Sequence, residues 1–450
     1  MSVSAEKKFW ALILVALFFI PASWLILSGY GKGSNFADQQ EFHLPTIVQF
    51  VNQWPHLDLR DYSAAHTPGY HILLAAIMRY TGASSRILQF VGAIITTGFL
   101  ITLYLALARR TGPRNAFGLS LPLVGSIYIF QAGVWIMADN PATWGMLVML
   151  LLALRKPADA RTFVGGGLIL AIAVMIRQID IWAAALLWAA AWNQTANGRG
   201  AHALEPRHQL LIRRETWNWL AAAAAASTPA IMGFSYFLFL WHGLTPPRFK
   251  VHATLTPVEP AFFLSLFAIY GLFFLPFIWK ETVQLLKARP ASFWIVLCAA
   301  SSLAILPVST YNFELHRYGG LWNMLPVFPT IGGRSLLILV MAPLGGMMML
   351  AWAEAYRIRK LHEERLILMV AVAAFLIAHF VTFPWQRYYE PFILILLTIS
   401  AATIGSISVP GSQISPAAPE RSRSWLSIVQ KMGPIALFAF LAILTVMTIK

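Results

Sequence analysis

Long apolar segments recur along the whole chain and are separated by short polar connections. The segments apolar enough to predict membrane spans are 9–28, 87–107, 117–137, 141–154, 162–177, 180–193, 217–240, 261–279, 291–308, 334–353, 366–383, 390–408 and 429–449. Two of them, 141–154 and 180–193, are short, so about 12 or 13 spans are expected. Because backbone amides inside a hydrocarbon layer must be paired internally, the pattern predicts an all-α, polytopic transmembrane helical bundle.

The composition agrees with this pattern. Of the 450 residues, 58% are hydrophobic and 11% are charged, whereas a soluble domain has about 25% charged residues. The single cysteine, Cys298, lies inside an apolar segment, which excludes an internal disulfide. The first apolar segment continues through Ile26 without a small-x-small cleavage site, so we expect a retained first helix and one transmembrane domain over 1–450.

The distribution of basic residues predicts the orientation. With the N-terminus inside, 22 of the 33 Lys and Arg residues fall in cytoplasmic segments, as the positive-inside rule requires. The net charge of +15 is therefore assigned to insertion and to membrane lipids as partners, with no nucleic acid, because no contiguous basic patch exists. The Ala- and Arg-rich composition and the absence of a retrieval signal favour the plasma (inner) membrane of a prokaryote.

This orientation places 29–86, the longest loop on its side, outside the cell. Within it, 45–54 and 68–80 are amphipathic and too short to span, which predicts interfacial helices in this first extracytoplasmic loop. The segment 320–333 is a second interfacial or re-entrant candidate. Segments 194–216 and 409–426 are predicted to be cytoplasmic linkers.

Carboxylates in the outer loops are the candidate catalytic groups. Asp38 and Glu41 follow the first span and share a face if this stretch is helical. A carboxylate here is suited to take a proton from an attacking hydroxyl, although both also fit a solvated loop. Asp139, a further acid between two apolar segments, is a candidate substrate contact, with a helix N-cap as the alternative.

Histidines gather in the same loop. The spacings of His43, His56, His66 and His71 match no standard zinc pattern, so no metal is expected. His43 and His66 are instead candidate substrate contacts. For His66, which precedes Thr67, Pro68 and Gly69, a turn that starts an interfacial helix is an equally good interpretation.

Basic residues on the outer side need an explanation beyond topology. Arg177 and Asp180 join two apolar segments through a tight turn, where they pair with each other or with a ligand. Two arginine–tyrosine pairs occur in outer segments, namely Arg317 with Tyr318 and Arg387 with Tyr388. Arginine suits phosphate and aromatic rings suit sugar faces, while each arginine alone also fits a snorkelling anchor.

A family resemblance is carried by four motifs in a fixed order, FHLP (42–45), HTPG (66–69), RQIDIW (177–182) and RYYEP (387–391). The chain resembles the eukaryotic dolichyl-phosphate-glucose-dependent alpha-1,2-glucosyltransferase family, which adds the last glucose to the lipid-linked oligosaccharide. The most specific element is the RQ-x-[ND]-I segment. The resemblance implies the GT-C architecture, a bundle whose first outer loop carries the catalytic acid, in a distant and prokaryotic member.

The same resemblance implies inverting transfer from a polyprenyl-phosphate sugar to a hydroxyl. By position, Asp38 or Glu41 matches the family's acidic pair. Arg177 and Gln178 match its arginine and glutamine, and both are candidate substrate contacts. Here the acids are separated as D-Q-Q-E and Asp180 replaces an asparagine. The part after 308 departs most from the family and leaves the acceptor open.

The sequence thus predicts a hexosyltransferase without cofactors. Its donor is a polyprenyl-phosphate-linked sugar, with glucose favoured, and its acceptor is a hydroxyl of a surface or lipid-linked glycan. A polysaccharide polymerase or ligase shares this chemistry. A lipid-linked glycan flippase or transporter is disfavoured because no internal repeat is visible and the ionisable residues gather at one surface.

Overall fold

The computed structural model describes residues 3–197, 214–406 and 420–449. The α-helices are α1 Val3–Ser28, α2 Ser34–Asp38, α3 Leu44–Gln53, α4 Gly69–Thr81, α5 Ser85–Thr111, α6 Pro113–Gly125, α7 Ile127–Val134, α8 Asp139–Ala153, α9 Gly166–Ile176, α10 Ala184–Asn197, α11 Arg214–Trp241, α12 Glu259–Gly271, α13 Trp279–Ala288, α14 Pro290–Ile305, α15 Leu321–Met324, α16 Leu336–Ile358, α17 His362–His379, α18 Gln386–Gly405 and α19 Glu420–Ile449.

Shorter elements complete the described chain. Two π turns (Gln39–His43 and Arg161–Gly165) and four 3-10 segments (Gln178–Ala183, Pro247–His252, Leu272–Phe277 and Leu325–Val327) flank or join the helices. An antiparallel hairpin pairs β1, Thr330–Ile331, with β2, Arg334–Ser335. The predicted all-α polytopic bundle is confirmed.

Helices occupy all the predicted spans, but fewer of them are long enough to cross a membrane. By length and composition seven described helices qualify, or up to nine if the bent pairs α6–α7 (71°) and α13–α14 (103°) each count as one span. The count is lower than 12 or 13 because α8, α9 and α10 are short and α17 begins with three charged residues. The chain is a multi-pass membrane protein.

Helix α18 is the central helix of the bundle. Within the most apolar stretch of this helix, 89% of the residues are buried inside the protein. The Phe392 ring of α18 packs 4.1 Å from Phe375 of α17 and 5.5 Å from Trp182, measured between ring centroids. Because α18 is enclosed on all sides, the residues of its first turn are held in a defined position at one end of the bundle.

The first loop forms its own small core on the bundle. Helices α3 and α4 lie at the two predicted amphipathic stretches, and buried side chains from both, including Phe50 and Tyr70, pack with Phe237 and Trp241 of α11. In 320–333 the structure has α15, a 3-10 turn and β1, none long enough to span. The predicted linkers 194–216 and 409–426 lie mostly outside the described residues.

The orientation yields a first prediction. In a Cys298→Ser background, a cysteine at the exposed Ser34 should react with an impermeant maleimide in intact cells, because the basic residues place 29–86 outside. A cysteine at the exposed Lys287 of α13 is the matched control and should react only after the cells are opened. Labelling in the reverse order would overturn the predicted orientation.

Candidate active site

The chain reaches the candidate site through a π turn. Helix α2 ends at Asp38, and Gln39–His43 continues as one π turn into α3. The buried Gln39 Oε1 accepts hydrogen bonds from the Ile136 amide at 2.9 Å and from Gln89 Nε2 at 3.3 Å. These bonds fix the turn against α5 and the connection between α7 and α8, and isolated π turns of this kind are frequent at functional sites.

Asp38 forms an ion pair with Arg387. Arg387 Nη1 donates to Asp38 Oδ2 at 2.6 Å, and their side chains are 15% and 24% exposed, respectively. Glu41 is exposed and has no ion pair among the described residues. Of the two candidate acids, the structure therefore brings only Asp38 to the first turn of α18.

A second ion pair lies deeper beside the first. Arg177 Nη1 donates to Asp139 Oδ1 at 3.5 Å, and both side chains are less than 10% exposed. Asp139 is the first residue of α8 rather than its N-cap. Asp180 lies close enough to interact electrostatically with both partners, and its Oδ2 is buried with no hydrogen-bond partner among the described residues.

The Tyr388 ring connects the two ion pairs. The Arg177 Cζ lies 4.6 Å and the Arg387 Cζ 5.3 Å from its centroid. Arg387 also stacks on Trp385, at 4.4 Å. Such cation–π contacts stabilise two guanidinium groups near each other. In each of them Nε is buried and has no hydrogen-bond partner among the described residues.

Three histidines stack beside this cluster. His43 Nδ1 lies 2.8 Å from His71 Nε2, and the His43 ring stacks 6.4 Å from His66. Burial lowers the pKa of His43 to about 4. Burial, together with neighbouring cations that include Arg177, lowers the pKa of His66 well below its usual value. Both imidazoles are therefore neutral near pH 7 and act as uncharged hydrogen-bonding groups.

In the described part of the chain, no three His, Cys, Asp or Glu side chains are grouped so that they could hold a metal ion.

Gln178 holds the first loop against the bundle. Its Nε2 donates to the carbonyls of Ala65 at 3.0 Å and Leu244 at 2.9 Å, and its Oε1 accepts from the Thr67 amide at 2.9 Å. Gly69 lies so close to Met175 that an added Cβ would be 2.5 Å from the Met175 carbonyl oxygen. The HTPG and RQID motifs thus meet as a structural joint, and the Gln178 amide is occupied by backbone groups.

The segment before β1 forms one wall of the candidate site. Tyr318 lies near the cluster, with its ring 6.1 Å from Trp385. Arg317 is buried, and its Nη1 donates to the Val308 carbonyl at 2.5 Å, while its backbone pairs with Asn312. Burial lowers the pKa of Arg317. The structure thus brings Tyr318, but not the Arg317 guanidinium, into direct contact with the residues around Arg387.

Aromatic residues that the motifs did not single out line the same region. The His316 ring stacks 3.7 Å from Phe383, which in turn lies 5.2 Å from Trp385. His252 lies 4.7 Å from Phe383 as well. Burial and the neighbouring His316 lower the pKa of His252 to about 4. Of these aromatic residues, only Trp385 lies beside one of the four motifs, two residues before Arg387.

A cavity of about 670 Å³ adjoins these rings. Its wall is mostly apolar, with residues that include Leu255, Leu303, Leu306, Phe380 and Phe383, and the charged or titratable residues Glu314, His316 and Arg317 also line it. The His316 and Phe383 rings of this wall stack on each other, and Phe383 contacts Trp385, which in turn lies against Arg387. Ring contacts therefore connect the wall of this cavity to the Asp38–Arg387 ion pair.

The solved structures similar to this chain include two crystal structures of ArnT from Cupriavidus metallidurans. The form bound to undecaprenyl phosphate aligns with a TM-score of 0.48 and 12% identity, over 98% of this chain and 78% of that one. The apo form aligns with a TM-score of 0.36 and 13% identity, over 88% and 78%. No family model matches, and no curated protein does. Residue roles in this chain therefore follow from its own contacts.

The joint between the two motifs gives a second prediction. Gln178→Ala should lower the thermal unfolding temperature, because the buried Thr67 amide and two partly buried carbonyls lose their partner, and an unsatisfied buried group costs on the order of 1–3 kcal/mol. Gln40→Ala, at an exposed position of the same loop, is the control and should leave it unchanged. Equal unfolding temperatures for both variants in detergent would show that the amide does not hold the joint.

Proposed function

We propose that this chain is a GT-C-type membrane glycosyltransferase. It transfers a hexose from a polyprenyl-phosphate-linked donor to a hydroxyl of a surface or lipid-linked glycan. The reaction takes place on the extracytoplasmic side of the plasma membrane, inverts the anomeric centre and uses Asp38 as the general base. The preference for glucose rests on the family resemblance, and no cofactor is included.

The observation that carries this proposal is the pair of arginines around Tyr388. Each has a buried Nε without a hydrogen-bond partner among the described residues. A buried unsatisfied donor costs on the order of 1–3 kcal/mol, so an anion that accepts from these Nε groups is stabilised. The charged oxygens of a phosphate can accept hydrogen bonds from two guanidinium groups at once.

The adjoining cavity supports an amphiphilic donor. Its apolar wall, formed by residues such as Leu303, Leu306 and Phe380, suits an isoprenoid chain, and its Phe383 contacts Trp385, which lies against Arg387. A polyprenyl phosphate combines a charged group with an apolar tail, and so suits a cavity of this kind beside a buried arginine. The aromatic faces of Trp385 and Tyr318, 6.1 Å apart, suit contact with the attached sugar.

The Asp38–Arg387 pair suggests how the base becomes available. A donor phosphate competes with Asp38 for Arg387, so donor binding frees the carboxylate. Asp38 then removes the proton of the acceptor hydroxyl, whose oxygen bonds to the anomeric carbon while the bond from that carbon to the phosphate oxygen breaks. Polyprenyl phosphate leaves with the bonding electrons, and Arg177 and Arg387 stabilise its developing charge.

The assignment of the base gives a third prediction. Asp38→Asn should lower turnover by about 10²–10⁴-fold, because the amide cannot accept the proton. The exposed Glu41→Gln is the matched control and should change turnover little. Purified variants are assayed with a panel of labelled polyprenyl-phosphate sugars, following loss of donor. If the folded Asp38→Asn protein turns over normally, Asp38 is not the base, and Asp139→Asn tests the deeper carboxylate.

The phosphate contact gives a fourth prediction. Arg387→Ala should raise the donor KM several-fold or more, since a charge-assisted hydrogen bond contributes about 1.5–3 kcal/mol. Arg317→Ala should have a smaller effect, because its guanidinium is bonded to the Val308 carbonyl. Arg387→Lys keeps the charge without the planar fork and should fall between wild type and Arg387→Ala. Unchanged donor kinetics in Arg387→Ala would assign Arg387 to anchoring alone.

A further inference from the structure

A second large cavity opens at the end of the bundle opposite Asp38. Its volume is about 640 Å³, within the range of small-molecule sites. It lies where the ends of α5 and α18 meet α6 and α19. Gly405 lines it and follows Arg387 along the continuous helix α18, which at 1.5 Å per residue separates the two sites by about 27 Å. The separation is close to the thickness of a bilayer's hydrocarbon core.

The lining of this cavity is divided into an apolar and a cationic part. Rings and aliphatic side chains from four helical segments form the apolar wall, namely Trp10, Phe117, Leu121, Phe277 and Ile435. Three cationic side chains, Arg110, Arg114 and Lys431, line the cavity as well, together with the polar Thr111, Asn115 and Gln430. No acidic residue is among the described residues that line it.

Among the described residues, the three cationic side chains have no carboxylate partner. Arg110 donates to the Thr403 hydroxyl, and within the described chain none of the three cations lies within ion-pair distance of an acid. Glu6 accepts a hydrogen bond at 3.3 Å from Trp10, which lines the cavity. Three like charges around one cavity repel each other, so an anion bound between them is stabilised.

We propose that this cavity binds an anionic phospholipid. The phosphodiester headgroup lies between Arg110, Arg114 and Lys431, and an acyl chain follows the wall formed by Phe117 and Phe277. Basic pockets between transmembrane helices are a known way of holding such headgroups. A free phosphate accounts for the cations but not for the apolar wall, which lies on helices long and apolar enough to span the membrane.

The bound lipid joins parts of the chain that are far apart in sequence. Arg114 lies on α6 and Lys431 on α19, and these helices also pack directly, with Gly125 against Phe438. A headgroup that contacts both cations therefore stabilises the docking of α19 against α6. Since a ligand that binds only the folded state raises its stability, the lipid should also raise the thermal unfolding temperature.

Native mass spectrometry of the full-length protein in neutral detergent tests this proposal. Phosphatidylglycerol is titrated against the wild type and Arg114→Gln/Lys431→Gln, with phosphatidylcholine as the zwitterionic control lipid. Loss of two cations should weaken phosphatidylglycerol binding by about tenfold or more, and phosphatidylcholine binding should not change. Arg161→Gln/Lys287→Gln removes the same charge at exposed positions away from the cavity and should bind like the wild type.

Further arms separate the proposal from its alternatives. Arg114→Lys/Lys431→Arg keeps both charges and should restore phosphatidylglycerol binding, which shows that loss in the Gln variant is not misfolding. Equal binding by the cavity variant and the control variant would overturn the site. Wild-type binding of phosphatidylcholine as tight as that of phosphatidylglycerol would overturn recognition by charge, and full competition by equimolar glycerol phosphate would assign the site to a soluble phosphate.

Discussion

Asp38 and Arg387 are 349 residues apart in the chain, and their ion pair joins the first loop to the central helix. Removing a guanidinium and a carboxylate from water is costly, so each must find a partner close to the membrane surface. The bonds of Gln39 and Gln178 are what make this pairing possible, because they fix the π turn and the HTPG turn against the bundle. The geometry of the site therefore depends on how firmly the first loop is docked.

Arg387 is positioned from the other side by a buried network under the first turn of α18. Glu390 accepts hydrogen bonds from Ser126 and Tyr270 at 2.5 Å each and from Gln386 Nε2 at 2.8 Å. Gln386 Oε1 in turn accepts from the Leu321 amide at 2.7 Å. This network ties α18 to the bend between α6 and α7 and to the segment that carries Tyr318. A buried carboxylate with several donors is well satisfied, so the start of α18 is rigid.

The helices were predictable because burial in hydrocarbon needs an apolar run, and that signal is local. The grouping of Asp38, Arg177 and Arg387 followed from their shared predicted side and from the ordered motifs. Their partners could not be predicted in the same way. The sequence suggested that Arg177 pairs with the nearby Asp180, whereas in the structure Arg177 pairs with Asp139 and Arg387 pairs with Asp38. Both observed pairs join segments that are distant in the chain. Gln178 shows the limit most clearly, since its motif predicted a substrate contact whereas its amide bonds three backbone groups.

The arginines beside Asp38 have carboxylate partners, whereas the cations that line the cavity at the opposite end have none among the described residues. At the end that carries Asp38, Arg177 and Arg387 are each paired with a carboxylate that balances their charge, and each keeps a buried Nε donor without a hydrogen-bond partner among the described residues. An anion entering there must displace a carboxylate rather than simply fill a positive pocket. Binding is thereby weakened, but the displaced group is the one the proposed reaction needs as a base. At the opposite end Arg114 and Lys431 have no described acid beside them, so an anion gains the full attraction and nothing is released. The first arrangement suits turnover of a charged substrate, and the second suits a ligand that stays bound.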